Sequence, residues 1–255
     1  MEEATIFTQL TELAKSKDVT ILYACETGSR AWGFPSPDSD YDVRMIYKHE
    51  TNWYLSLSEK KDTIETMLMD RDLDITGWDI RKCLRLLWKS NGALLERLQS
   101  PIVYHEAPGF LDLWRPAAEA CFSPVATMYH YLRMGRNGFD ELQGQPEVKL
   151  KKLFYALRAA LACEWIRTRN SIPPIVFQTL LEELEMDSNL RSYVKELIVI
   201  KAEKAESYLH PANPELIRFI ATCYEKAGEI ASSLKGSASK EADLDNIFLE
   251  LLTRY

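Results

Sequence analysis

From Pro108 onward the spacing of apolar residues turns helical and stays so, and that change limits what this chain can fold into. Up to Tyr104 the apolar residues come in short runs or alternate with polar ones, the patterns of buried and half-buried strands. From Pro108 onward they recur three and four residues apart, the pattern of amphipathic helices. The expected fold is therefore α+β: an N-terminal sheet domain with flanking helices over residues 1–107, followed by an all-helical domain over 108–255.

Taken in order, Ile6 to Lys15 reads as an amphipathic helix and Asp18 to Cys25 as a buried strand. Asp40 to Tyr47 alternates as a second strand, and Asn52 to Leu57 is a helical turn or two. Asp62–Leu68 and Asp72–Trp78 form a hairpin joined by Met69-Asp70-Arg71. Asp79 caps a helix with the stripe Ile80, Cys83, Leu84, Leu87 and Trp88, which ends at Ser90-Asn91-Gly92. Ala93–Leu98 is a short helix and Pro101–Tyr104 an edge strand. Further helices are expected over Phe110–Cys121, Val125–Asn137, Pro146–Arg169, Ile175–Met186, Leu190–Lys204, Pro214–Leu234 and Asp243–Thr253. Their breaks fall at Gly138, Pro173-Pro174, His210-Pro211 and Gly236-Ser237.

Between the first two strands lies Gly28-Ser29-Arg30-Ala31-Trp32-Gly33-Phe34-Pro35-Ser36-Pro37-Asp38-Ser39-Asp40-Tyr41-Asp42. Asp40 and Asp42 are two apart, so on a strand both carboxylates leave one face. Such a pair repels itself unless a cation lies between, and oxygen-only ligands suit Mg²⁺, with Mn²⁺ an alternative ion. It is half of a two-ion site that lacks a third carboxylate on a neighbouring strand. Asp74 is the candidate, with Asp72 and Glu65 as alternatives if the strand register differs by a pair. Asp38 is ordinary turn chemistry. Gly28 and Ser29 stand where a strand meets a helix N-terminus, a place where free backbone N–H groups attract phosphate.

A Gly-Ser, the ten residues Arg30 to Ser39, and an Asp-x-Asp on a strand resemble the signature of the DNA polymerase β nucleotidyltransferase superfamily. The longer match includes Val43-Arg44, Asp72-Leu73-Asp74-Ile75-Thr76-Gly77-Trp78-Asp79 and Lys89-Ser90-Asn91. It resembles the predicted nucleotidyltransferase branch linked to RNA-repair pathways, tightly over residues 22–104 and more loosely beyond. The resemblance implies a polymerase-β-like mixed sheet, with Asp40, Asp42 and Asp74 as metal ligands and catalytic residues. It also implies transfer of a nucleoside monophosphate from a nucleoside triphosphate to an acceptor hydroxyl, an RNA end in that branch. A small molecule, a tRNA or a protein is the alternative acceptor, and a non-catalytic nucleotide-binding module the alternative of another class.

The longest helix carries Lys151, Tyr155 and Arg158 in one row beside its apolar stripe, with Lys152 and Lys149 further round. Such a row is either a solvated face or a set of triphosphate contacts, and the resemblance favours the second for Lys151, Lys152, Tyr155 and Arg158. Arg30 joins Gly28 and Ser29 as a nucleotide-binding candidate because it flanks the loop. Arg133 and Arg136 could extend the basic patch toward a nucleic-acid acceptor.

The five cysteines form no C-x-x-C pair and the four histidines have no zinc-type spacing, so no zinc site is expected. A net charge of −7 argues against generalised coating of nucleic acid and leaves only a local basic cleft for it. No apolar run nears the length of a membrane span, and Met1-Glu2-Glu3 is unlike a signal peptide, so the expected location is the cytoplasm.

Overall fold

Strand alternation and the helix N-caps Asp79 and Asn91 account for most of the sheet-bearing half. The computed structural model describes residues 3–68, 72–235 and 241–255, so the expected Met69-Asp70-Arg71 connection and the Gly236-Ser237 break lie outside the described residues. In chain order the first elements are α1 (Glu3–Lys17), β1 (Thr20–Glu26), α2 (Gly28–Trp32), β2 (Tyr41–Lys48), α3 (Thr51–Tyr54), β3 (Thr63–Leu68) and β4 (Leu73–Asp79). Next come α4 (Ile80–Trp88), α5 (Gly92–Arg97), β5 (Val103–Glu106) and α6 (Phe110–Cys121).

The five strands lie in the order β3-β4-β2-β1-β5, with β2 and β4 parallel and the other pairs antiparallel. One face carries Ala24, Val43, Met45, Tyr47, Ile64, Leu73 and Ile75, and these are buried together with Ile6 and Leu10 of α1. Period-two alternation in β2 and β4 therefore sends Asp42, Arg44, Asp74 and Thr76 to the opposite face. Beyond Met45 both faces of β2 are buried, so alternation fades there.

The chain forms two compact units that cross the cut expected at residue 107. One holds the described residues within Met1–Gly28, Asp40–Cys121 and Ala238–Tyr255, and the other those within Ser29–Ser39 and Phe122–Ser237. Helix α6 stays with the sheet because its Phe110 stacks on Tyr23 of β1 at 5.6 Å. The last helix, α12 (Glu241–Arg254), does so through Phe248 on Tyr54 at 5.2 Å and Lys48 Nζ donating to the Leu252 carbonyl at 3.3 Å.

Asp79 turns β4 into α4. Its Oδ1 accepts from the Arg81 N–H at 2.9 Å and its Oδ2 from the Tyr54 hydroxyl at 2.7 Å. Asp79→Ala removes a cap worth about 1 kcal/mol and leaves the Tyr54 O–H, which still accepts from the His49 N–H, without its acceptor at about 1–2 kcal/mol. A loss of about 2–3 kcal/mol in urea unfolding is expected.

The second unit contains α7 (Pro124–Phe139), β6 (Glu147–Lys149), α8 (Leu150–Arg169), α9 (Phe177–Glu183), α10 (Ser188–Glu203), β7 (Leu209–Pro211), α11 (Pro214–Ile230) and a 3₁₀ turn at Ala231–Ser233. Helix α8 is its axis, and the small residues Ala156, Ala159, Ala160 and Ala162 on it are all buried. Gly135 on α7 leaves room for the Tyr224 hydroxyl, which donates to the Ala156 carbonyl at 2.6 Å. Trp32 at the end of α2 and Phe34 just beyond it join this core, Phe34 meeting Phe154 at 4.9 Å and Phe177 at 5.3 Å.

Two expectations change here. The helix read from Pro146 begins at Leu150, because Glu147–Lys149 pairs with Leu209–Pro211 as a two-stranded ribbon. The helix read over Ile175–Met186 is the shorter Phe177–Glu183. Strands of three residues give no periodicity to read.

Candidate active site

Two adjacent strands bring two carboxylates side by side. In the parallel register of β2 and β4, Asp42 stands opposite Asp74, while Glu65 on β3 stands opposite Thr76. Asp72 precedes β4 and gives its carbonyl to the Tyr41 N–H at 2.9 Å. Of the three acids weighed from the sequence, Asp74 is thus the one beside Asp42.

Between them lies a cation that the sequence reading left without a role. One guanidinium nitrogen of Arg44 reaches Asp42 Oδ1 and Asp74 Oδ2, each at 2.8 Å, and the other donates to the carbonyls of Val43 and Asp74, each at 3.1 Å. Its position two residues beyond Asp42, on the same strand face, is the signal that could have exposed it.

The Asp42 carboxyl is pushed above the usual carboxylate range, first by burial and then by the charges of Asp40 and Asp74, with Arg44 pulling the other way. Asp40 is exposed and lies one residue before β2 begins, so it does not share the strand register assumed for it.

The backbone around Asp42 is held from behind. Its N–H donates to Glu26 Oε1 at 2.7 Å, and Tyr104 donates its hydroxyl to Glu26 Oε2 at 2.5 Å. Glu26 is fully buried and was not singled out from sequence, where it reads as the polar end of an apolar run. On the other side of the pair, Gly28 sits at φ +65°, and a Cβ there would lie 2.2 Å from Asp42 Oδ2. Glycine is required at this point for the backbone and the carboxylate to coexist. Arg97, buried, holds its guanidinium 3.3 Å from the Trp78 ring, and burial pushes its pKa down to about 10.

Among the described residues no group of three or more His, Cys, Asp or Glu is placed to hold a metal ion. The pair Asp42 and Asp74 nonetheless fits one: two oxygen donors on adjacent strands already share a single positive charge, in the donor chemistry that Mg²⁺ prefers. Asp40, whose charge acts on Asp42, is the nearest further carboxylate in sequence.

The nucleotide-binding candidates of the second unit form a separate chain of contacts. Ser29 Oγ lies 3.2 Å from Ser39 Oγ, and Arg30 donates to the Ser39 carbonyl at 2.6 Å. Ser39 donates to Glu206 Oε1 at 3.2 Å, and Lys151 pairs with Glu206 Oε2 at 2.5 Å. Lys152 pairs with Glu141 on an exposed surface, and Tyr155 packs edge-on to Trp32 at 4.8 Å.

Arg158 is the buried member of the expected row. It is 1% exposed, with its guanidinium 4.3 Å from the Trp32 ring. Glu206, which ties Lys151 to the loop, had no local sequence signal.

Residues 2–250 match the model of the RNA repair pathway DNA polymerase beta family, RlaP. The chain belongs to that family. It is thereby a nucleotidyltransferase of the DNA polymerase β superfamily, and the α+β fold with its mixed sheet and helical second half is the one expected. Within reach of the same chain is YcgL of Bacillus subtilis strain 168, an uncharacterized protein 46% identical over 231 residues, covering 90% of this chain and 88% of YcgL. A nucleotidyltransferase-like protein from Exiguobacterium sibiricum 255-15, known from a crystal structure, is 14% identical with a TM-score of 0.32, covering 99% of this chain and 80% of that one. That likeness is too slight to carry an argument. No helix among the described residues is long and apolar enough to cross a membrane.

Proposed function

We propose that this RlaP-family chain transfers a nucleoside monophosphate from a nucleoside triphosphate to an acceptor hydroxyl, with an RNA end as the acceptor. The observation that carries the reading is the in-register pair Asp42 and Asp74, converging on one cation. Divalent ions of the Mg²⁺ type, when bound, supply charge neutralisation at the phosphates and a more acidic acceptor hydroxyl.

The chain's own residues hold and orient. Asp42, Asp74 and, from the loop, Asp40 provide the carboxylate oxygens. Asp74 Oδ1, not the oxygen engaged by Arg44, takes the acceptor proton. The acceptor oxygen bonds to the α-phosphorus as the α–β bridging bond breaks, and pyrophosphate leaves with that electron pair. Gly28 gives backbone access, and Ser29, Arg30, Lys151, Lys152 and Tyr155 are the proposed phosphate and nucleotide contacts. Lys151 can keep Glu206 and still donate, because an ammonium carries three N–H groups. Arg158, stacked on Trp32 beside Tyr155, is the remaining proposed contact of this row.

An α-labelled nucleoside triphosphate assay against RNA 3′ ends, tRNA, small hydroxyl compounds and protein tests the reading. Label on the RNA end supports it in full. Label on another acceptor keeps the reaction and replaces the substrate, whereas label on none rejects the reaction.

A further inference from the structure

Arg44 uses oxygens that a metal ion would need. Its guanidinium takes Asp42 Oδ1 and Asp74 Oδ2 at 2.8 Å each and is further anchored on the carbonyls of Val43 and Asp74, so it is built into the sheet rather than swinging in solvent. Arg44 thereby takes one of the two oxygens of each carboxylate. A divalent ion bridging the two carboxylates therefore has to compete with a guanidinium already in place.

We propose that Arg44 is the resident counter-cation of the carboxylate pair and sets the affinity of this site for divalent metal by competing for Asp42 Oδ1 and Asp74 Oδ2. The inference rests on the carboxylate pair being the metal site. It adds a metal-affinity control to that reading. With Arg44 in place the pair is neutralised and binds free ions weakly. A metal ion carried by a triphosphate meets a different balance, because the phosphate charge offers the guanidinium an alternative partner. Arg44 is in this sense a positioning residue, acting on the reaction through the metal ligands.

The test is a Mn²⁺ titration without nucleotide, read by electron paramagnetic resonance of the free ion, on wild type, Arg44→Gln and Arg44→Lys, with Asp42→Asn added to Arg44→Gln as the site control. Circular dichroism confirms that each variant is folded. Arg44→Gln is expected to bind Mn²⁺ at least about tenfold more tightly than wild type, since it removes both a competitor and a like charge beside the ion. Arg44→Lys, which keeps the charge but not the planar fork, is expected to fall between them. The apo form of Arg44→Gln is expected to melt below wild type and to gain more on adding Mn²⁺.

Equal or weaker Mn²⁺ binding by folded Arg44→Gln overturns the competition while leaving the carboxylate site standing, provided Asp42→Asn still abolishes binding. No binding by Arg44→Gln and wild type alike, or tight binding that survives Asp42→Asn, overturns both the competition and the carboxylate site. Should Arg44→Gln be unfolded, Arg44→Lys decides alone: Mn²⁺ affinity above wild type supports the competition, and affinity at or below it rejects it.

Discussion

Asp42→Asn and Asp74→Asn are each expected to lower nucleotidyl transfer by about a thousandfold or more while leaving the protein folded. The substitutions keep shape and hydrogen-bonding capacity but remove the charge that a metal-bound triphosphate requires. The stability side of the prediction separates this site from ordinary structure. Burial and the neighbouring acids raise the Asp42 carboxyl above its ordinary pKa, so between its unfolded and folded values the folded state binds more protons than the unfolded one. Stability from this group is therefore present below the unfolded value and is lost as pH rises through the raised folded value. At neutral pH the charge opposes folding, and its removal costs little despite the ion pair with Arg44. Urea midpoints measured in EDTA should show wild type losing ground to Asp42→Asn as pH rises from acid to neutral. A variant that unfolds at neutral pH, or one that retains full activity, contradicts the assignment.

Gly28→Ala carries the second large effect. At φ +65° an alanine costs about 1–2 kcal/mol from backbone strain alone, and its Cβ would stand 2.2 Å from Asp42 Oδ2. That collision has to be relieved by turning the carboxylate, which also disturbs Oδ1 on Arg44. A loss of about 2–4 kcal/mol is expected, with activity down about a hundredfold in the folded fraction. Gly33→Ala is the matched control, since Gly33 also has positive φ, at +91°, but nothing lies within 4 Å of the added carbon. Gly33→Ala should show the strain without the loss of activity. Equal activity losses in the two variants would mean that Gly28 acts through backbone shape and not through Asp42.

The sheet was readable because strands β2, β3 and β4 alternate, and alternation assigns faces before pairing is known. The antiparallel pairing of β3 with β4 was readable as a hairpin, whereas the pairing of β4 with β2 was not. The choice of Asp74 over Asp72 and Glu65 depends on a parallel register between segments about thirty residues apart, and only the fold sets it. Arg44 stood in the quoted motif without a role, although period two alone places it on the Asp42 face. Arg158 is buried, which was unreadable for a different reason. On the helix it borders the apolar stripe, and what covers it is Trp32, contributed by α2 more than a hundred residues earlier. The same long-range packing explains why residues 29–39 belong with the helical unit and α12 with the sheet unit. Asp40 was read as part of β2 because of its spacing, yet the strand starts one residue later.

Divalent-metal-dependent transfer through Asp42 and Asp74 is read out by the release of pyrophosphate. Purified protein is incubated with each of the four nucleoside triphosphates and RNA carrying a free 3′ hydroxyl, in Mg²⁺ or in EDTA. The account predicts pyrophosphate in step with label on the acceptor in Mg²⁺, and neither in EDTA or with the Asp42→Asn, Asp74→Asn double variant. Transfer that persists in EDTA, or that survives the double substitution, would contradict it.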